Sequence, residues 1–464
     1  MAKKQKYDFD LIVIGSGASG SAAATIAARE GKRVAIIEED TFGGDSPNWS
    51  DVPIKSLLHA AQLYDEARQG ARFGLRTNTL GYNYPSIRAW KNLAVKRTGA
   101  GGNRKYYTNE GINTFHGRAH FLSPNEVSVN RRQLSAKNFL IATGADWDLP
   151  DIQGLDSVKY LTPRTILESI RPPKSLYVIG AGSIGVEIAQ LMAIFGTKVY
   201  LSDIASRILP NEDEDVGQLM ASLLHKHKGV SVLTQARTLA IEKENIAKRV
   251  TYTRGGVQHS VRVDEVLLAA GRSPAVDFGL ENANVNYTPK GIEVDEYLQT
   301  SNKNIYAAGD VLGRGNSFTH TALLEGQVAM HNILRRNKVE PDYTATPRLT
   351  FTFPGVASVG MTEIECIKRD LNVKTGLAPL AVVPRSNTSD FRDGFVKVVA
   401  DKRGFVIGAT VVAPHAAEII HELALAIRCG LTAKEVAETP HAFLSWSEAV
   451  RVAASRAVVN KPGR

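Results

Sequence analysis

Two stretches of this chain follow one plan at one spacing. Residues 11–20 read Leu-Ile-Val-Ile-Gly-Ser-Gly-Ala-Ser-Gly, and residues 176–185 read Leu-Tyr-Val-Ile-Gly-Ala-Gly-Ser-Ile-Gly. In each, a further glycine falls 16 residues after the first (Gly31 and Gly196), and an acid ends a short apolar run 23 residues after it (Glu38 and Asp203). Strand, glycine turn, helix and acid-tipped strand make a dinucleotide-binding unit, and two in register predict a doubled α/β architecture. The residue types suit the task. Gly15 and Gly180 turn the chain tightly, Gly17 and Gly182 let backbone approach a pyrophosphate, and Gly20 and Gly185 let the helix pack on the strand. The helix N-terminus then offers N–H groups and a positive dipole end to phosphates. Glu38 and Asp203 are placed to accept from a ribose diol.

The second acid also bears on cofactor choice. Asp203 repels a 2′-phosphate, and the following Ile204-Ala205-Ser206 supplies no cation to hold one. Arg207 lies nearby and is expected to brace its own turn. NADH is therefore expected in preference to NADPH.

At 464 residues the chain has room for about three domains of roughly 150 residues. With 43% hydrophobic and 22% charged residues it can bury an ordinary core. No apolar run is long enough to span a bilayer, so stable membrane insertion is not expected. Met1–Lys6 leads almost directly into a predicted strand, leaving no room for a signal peptide, and a cytoplasmic protein is expected. The two cysteines, Cys366 and Cys429, lack metal-ligand spacing and are expected to fill apolar helical sites in a reduced compartment. No metal site is expected. The net charge of +9 is scattered along the chain, and a solvated basic surface is expected, not a nucleic-acid partner.

Later segments extend the pattern. Ile141-Ala142-Thr143-Gly144 and Ala269-Ala270-Gly271-Arg272-Ser273-Pro274 look like strand-end motifs that close each nucleotide site. Thr300 to Asp310, ending in Ala307-Ala308-Gly309-Asp310, looks like a second cofactor-contact strand. Phe351 to Glu363, Gly394-Phe395-Val396-Lys397 and Ile407-Gly408-Ala409 follow. With these, the chain resembles the pyridine nucleotide-disulfide oxidoreductases over nearly its whole length. The resemblance implies an FAD-binding domain in two parts (residues 1–150 and 271–345), an inserted NAD-binding domain (151–270) and a C-terminal α+β dimerisation domain (346–464). It implies a homodimer whose active site is completed across the interface. It assigns Gly15, Gly17, Gly20, Glu38, Gly44, Lys55, Thr143, Gly144, Gly309 and Asp310 to FAD. Gly180, Gly182, Gly185, Glu187, Asp203 and Gly271 fall to NAD. A helix beginning near His320 would aim its positive end at the flavin.

One segment departs from the family. In Gly43-Gly44-Asp45-Ser46-Pro47-Asn48-Trp49-Ser50-Asp51-Val52-Pro53-Ile54-Lys55, Ser46 and Asp51 occupy the positions of the family's two redox cysteines. The family's His-Pro-Thr-x-x-Glu segment becomes Pro440 to Glu448, with Phe443 at the histidine position and Glu448 kept. Thiol–disulfide exchange needs a thiolate, so disulfide reduction is not expected. Lys55 keeps the family spacing for the lysine beside flavin N5, and Glu187 that of the glutamate paired with it. Hydride transfer from nicotinamide to flavin is therefore expected to survive.

Asp51 is read in two ways: as a partly protonated proton donor, its pKa raised beside the reduced ring, or as a carboxylate hydrogen-bonded to nearby backbone. Trp49, with Phe443 and Trp446 from across a dimer, either stacks a flat acceptor or plugs a disused pocket. The stretch Arg97 to Lys105 is expected to be a loop between helices. The expected function is an FAD-dependent NAD(P)H oxidoreductase serving a small non-disulfide electron acceptor, quinones first. Soluble transhydrogenation is one alternative, suggested by Trp49 and by the run Glu448 to Ala454. A non-catalytic flavoprotein is the other.

Overall fold

The computed structural model describes residues 6–76, 79–99, 104–315 and 317–459. They divide into two compact units. The first joins Met1–Ser56, Ser86–Asp148 and Gly271–Pro341; the second joins Leu57–Pro85, Leu149–Ala270 and Asp342–Arg464.

The first unit is built on a parallel sheet. Val34–Glu38 and Arg132–Ile141 flank the first strand, Phe9–Ile14, with Leu11 opposite Val34 and Asn138. Asn113–His116 extends one side, and Ile305–Ala307 adds beside Arg132–Ile141 on the other. Leu11, Ile12, Val13 and Ile14 are all buried, as a strand covered on both faces requires. Helices Ala18–Arg29 and Thr319–Leu334 pack against one another, and Gly326 meets the backbone of Ser19 closely. The strand Ile305–Ala307, from far along the chain, thus enters the same core as the N-terminal fingerprint.

In the second unit a parallel sheet runs Ser231–Leu233, Lys198–Ser202, Ser175–Ile179, Glu265–Leu268. A three-stranded meander, Ala236–Glu244, Ala247–Arg254 and Val257–Val263, follows in sequence. The C-terminal part is a five-stranded antiparallel sheet containing Gly355–Gly360, Phe395–Asp401 and Val406–Ala413. Helix Ala416–Arg428 buries Ala416, Ile419, Ile420 and Leu423, the three-and-four spacing that lays one apolar stripe on the sheet. Helix Glu448–Val459 buries Ala449, Val450, Ala453 and Ala454 in the same core.

The expected loop after Arg97 is borne out at its edges: one helix ends at Arg97 and the next begins at Arg104. Residues 100–103 lie outside the described residues. Among the described residues no helix is long and apolar enough to cross a membrane.

Candidate active site

The two fingerprints fold alike in their glycine conformations and close contacts. Gly15 has φ +97° and Gly180 φ +104°, values that L residues rarely adopt. A Cβ would stand 2.2 Å from the Ala142 carbonyl oxygen at Gly15, and 2.3 Å from that of Ala269 at Gly180. Gly20 and Gly185 press on the turn itself, where a Cβ would lie 2.1 and 2.0 Å from the carbonyl oxygens of Gly15 and Gly180. By contrast, a Cβ at Gly17 or Gly182 would meet nothing within 4 Å. Each of these open glycines caps a 12-residue helix that has no side-chain cap, so the first-turn N–H groups are left for a ligand. Room, free donors and a positive dipole end together fit a dinucleotide pyrophosphate.

The acids are held identically. Glu38 accepts from the N–H of Ser16 (2.9 Å) and of Asp40 (2.9 Å). Asp203 accepts from the N–H of Ala181 (2.6 Å) and of Ala205 (2.8 Å). Each carboxylate oxygen thus has one backbone donor and keeps acceptor capacity for a ribose. The hydroxyl of Ser16 adds a bond that the second copy lacks: it donates to Glu38 (2.7 Å) and accepts from the N–H of Gly43 (2.9 Å). Arg207 donates to the carbonyls of Pro210 (3.0 Å) and Glu212 (3.1 Å), bracing its turn as expected.

The segment that departs from the family leans on the first fingerprint. Gly44, at φ +75°, sits so close that a Cβ there would be 2.6 Å from the Gly17 Cα. Asp51 then opens the helix Asp51–Arg68, with Pro53 in its first turn, where the missing N–H does no harm. The hydroxyls of Ser46 and Thr319 both donate to Asp51 Oδ2, Thr319 at 2.8 Å, and the two hydroxyls touch each other. Lys55, one turn on, faces Asp51 Oδ1 at 3.3 Å.

These neighbours favour the charged form of Asp51 and lend no support of their own to the proton-donor reading. Burial pushes its carboxyl up, but the Lys55 ammonium and the Ser46 and Thr319 hydroxyls outweigh burial and hold it below the usual carboxylate range. The hydrogen-bond donors are side chains, so the backbone-bonded alternative also needs amending.

Arg272 organises the next cluster. Its guanidinium bonds Asp45 and the Ala145 carbonyl, lies 3.7 Å from Asp310, and sits 5.0 Å from the centre of the Trp147 ring. Burial raises the Asp310 carboxyl; Arg272 opposes this and Asp45 reinforces it, leaving Asp310 above its ordinary value. Gly309 donates its N–H to Glu325 (2.6 Å), and Thr143 donates to the Ala275 carbonyl (2.9 Å). Gly144 follows the strand Arg132–Ile141, and Gly271 precedes the short strand Arg272–Pro274. Among the described residues, Asn48 Oδ1, Arg272 Nε and Thr321 Oγ1 are buried without a hydrogen-bond partner, as are single side-chain atoms elsewhere, on Arg207 and Glu244 among them; the first three fit polar atoms kept for a ligand. Asp45, Thr319 and the bridging role of Ser16 were not foreseen from sequence. The one signal was the serine at 16 where the second copy has alanine.

The remaining residues belong to the second unit. Glu187 is buried on the helix Ser183–Ile194, where Oε1 accepts from the Phe351 N–H at 2.7 Å. Glu448 begins the last helix and accepts from the Leu444 N–H at 2.9 Å. Phe443 is 73% exposed on this chain. Trp446 corrects the expectation of an aromatic acceptor pocket: it is buried in the C-terminal core, edge-on to Phe391. An indole that removes this much apolar surface from water is held by its own domain. Cys366 is buried as expected, whereas Cys429, just past the end of helix Ala416–Arg428, is exposed.

Comparison with known proteins agrees with this geometry. Residues 9–326 match the family model described as pyridine nucleotide-disulphide oxidoreductase, and residues 346–454 match that family's dimerisation domain. A mercuric reductase of Bacillus cereus is 34% identical over 453 residues, covering 96% of this chain and 71% of the relative. A dihydrolipoyl dehydrogenase of Geobacillus stearothermophilus is 33% identical over 457 residues, covering 97% and 96%. Among solved structures, LpdA from Mycobacterium tuberculosis superposes with a TM-score of 0.86 at 27% identity, covering 96% of this chain and 99% of that one. The HOCl-induced flavoprotein disulfide reductase RclA from Escherichia coli gives 0.85 at 26%, covering 96% and 99%. With two fingerprints of one geometry, a returning cofactor strand and a matched dimerisation domain, the chain belongs to the pyridine nucleotide-disulphide oxidoreductases, a family that works with FAD and NAD(P)H.

Proposed function

We propose that this protein is an NADH-dependent flavoprotein reductase that passes electrons to a small non-disulfide acceptor, quinones being the first class to try. One observation carries the reading: where a dithiol relay would stand, Ser46 and Asp51 are tied to each other and to Thr319, with Lys55 kept four residues on. Hydroxyl and carboxylate oxygens cannot exchange with a disulfide, which needs a thiolate nucleophile. FAD and NADH, when bound, supply the two-electron chemistry.

The chain's residues supply the rest. Gly15, Gly17, Gly20, Glu38, Gly44, Thr143, Gly144, Gly309 and Asp310 would hold FAD; Gly180, Gly182, Gly185, Asp203 and Gly271 would hold NADH. Lys55 would steady negative charge as it develops near the flavin, and Glu187 would serve the nicotinamide. Asp203 favours NADH, since its carboxylate repels a 2′-phosphate, and Arg207 donates from Nη2 to the carbonyls of Pro210 and Glu212. Residues 1–150 and 271–345 would form the FAD-binding domain and 151–270 the NAD-binding domain. Residues 346–464 would pair two copies into a homodimer, with Glu448 and Phe443 near the interface.

The test is an anaerobic titration of the yellow protein with NADH, then NADPH, following oxidised-flavin absorbance. Rapid bleaching by NADH and reoxidation by quinones is expected. Bleaching by NADPH as readily would move the protein to transhydrogenation, and bleaching by neither would end the enzyme reading.

A further inference from the structure

Asp51 places a carboxylate where relatives of this fold carry a sulfur, and the structure surrounds it with partners that a sulfur would not need. Building on the reading above, in which Lys55 serves the flavin, we propose that Ser46 and Thr319 are positioning residues that hold Asp51 as a fixed counter-charge to Lys55. The lysine then enters the reaction with a carboxylate of its own helix held against it.

The two carboxylate oxygens divide the work. Oδ2 accepts from both hydroxyls, with Thr319 at 2.8 Å, and Oδ1 faces the Lys55 ammonium at 3.3 Å. An ionised carboxylate only accepts, so every hydroxyl proton pointed at it favours the charged form. Helix ends act in the same direction. Asp51 stands in the first turn of helix Asp51–Arg68, and Thr319 is the first residue of the 16-residue helix Thr319–Leu334, so two positive dipole ends face one carboxylate. The result is a carboxyl held below its usual range in spite of burial. A thiol titrates about 8.5 when unperturbed, so a sulfur here would change charge near neutrality, and this carboxylate does not.

The consequence concerns how readily the flavin accepts electrons. A cation beside the ring favours reduction, and a carboxylate 3.3 Å from that cation offsets part of its effect. Removing the charge at position 51 should therefore make the flavin easier to reduce. Removing the Thr319 or Ser46 hydroxyl, which loosens the pair, should act in the same direction and more weakly.

The experiment is an equilibrium between FAD-loaded protein and a reference dye during slow photoreduction, with no pyridine nucleotide or acceptor present. Asp51→Asn is expected to shift the flavin–dye equilibrium at least tenfold toward reduced flavin, about 30 mV for a two-electron couple. Thr319→Val and Ser46→Ala should shift it less, and Thr319→Ser should restore the starting value. In a Lys55→Met background the Asp51→Asn shift should shrink, since the coupling is between the pair. An unchanged or opposite shift in Asp51→Asn, or one of equal size with and without Lys55, would overturn the proposal. If Asp51→Asn fails to retain FAD, Thr319→Val carries the test: no shift there overturns it. Because no NADH enters, a protein that proves unable to oxidise NADH would sink the functional reading while leaving this result to stand on its own.

Discussion

The two dinucleotide cradles share their glycine conformations and close contacts and differ in what each acid is connected to. Asp203 bonds only its own turn, through Ala181 and Ala205. Glu38 makes the same two bonds, and through the Ser16 hydroxyl it also reaches Gly43, the start of the segment that carries Asp51 and Lys55. The difference teaches that one cradle is tied to the segment proposed as the reaction loop while the other is tied to its own turn. A resident cofactor suits the first, and a nucleotide that comes and goes suits the second.

Breaking each cradle at its first glycine gives the largest expected effect. Gly15→Ala forces a side chain into left-handed backbone and against the Ala142 carbonyl, roughly 2–5 kcal/mol of local strain. The purified protein should come out without its yellow colour. Gly180→Ala carries the matching clash with Ala269 and should stay yellow but resist bleaching by NADH. If both variants lose colour together, the two cradles do not divide the labour as described.

Asp203→Ala comes next. It leaves two N–H groups without their acceptor, about 1–3 kcal/mol, and should raise the KM for NADH roughly ten- to hundredfold with little change in kcat. An unchanged KM in steady-state kinetics would remove Asp203 from the binding account. Ser16→Ala converts the first cradle into a copy of the second at that position. Losing the bridge to Gly43 should weaken FAD retention by about 1 kcal/mol, read as faster flavin release on dilution.

The smallest effect is a pH dependence. Asp51 has a folded-state pKa below its ordinary value. Its contribution to stability is therefore full above the ordinary carboxylate range and is lost as pH falls through the depressed value. Asp51→Asn should flatten the acid side of a thermal-unfolding profile of the holoprotein and leave the slope above pH 6 unchanged. A parallel profile displaced by a constant amount would mean that Asp51 is not ionised in the fold.

The cradles were legible because the glycines and acid of each fingerprint lie within 24 residues of one another and glycine spacing has few other uses. The reaction loop was only half legible. The loss of both cysteines could be read from position alone, but the state of Asp51 depends on Thr319, 268 residues away. Arg272 reaches Asp45 across 227 residues. No local pattern marks such partners, and a charged residue considered without them lacks the groups that set its pKa. Trp446 misled for a related reason. Its nearness to Glu448 in sequence suggested a place at the active site, yet its indole fills the C-terminal core beside Phe391.

A reaction centre built from oxygen instead of sulfur also has a different relation to damage. Thiolates climb an oxidation ladder, from sulfenic to sulfinic and sulfonic acid, whose upper rungs are not reversed. The hydroxyls of Ser46 and Thr319 and the carboxylate of Asp51 have no such ladder. Of the two sulfurs in cysteine, one is buried with its thiol pushed further toward the protonated form, and the other, Cys429, lies on the C-terminal domain. Reagents that act on thiolates and soft metal ions therefore find no cysteine sulfur at the loop where they would disable a dithiol relay.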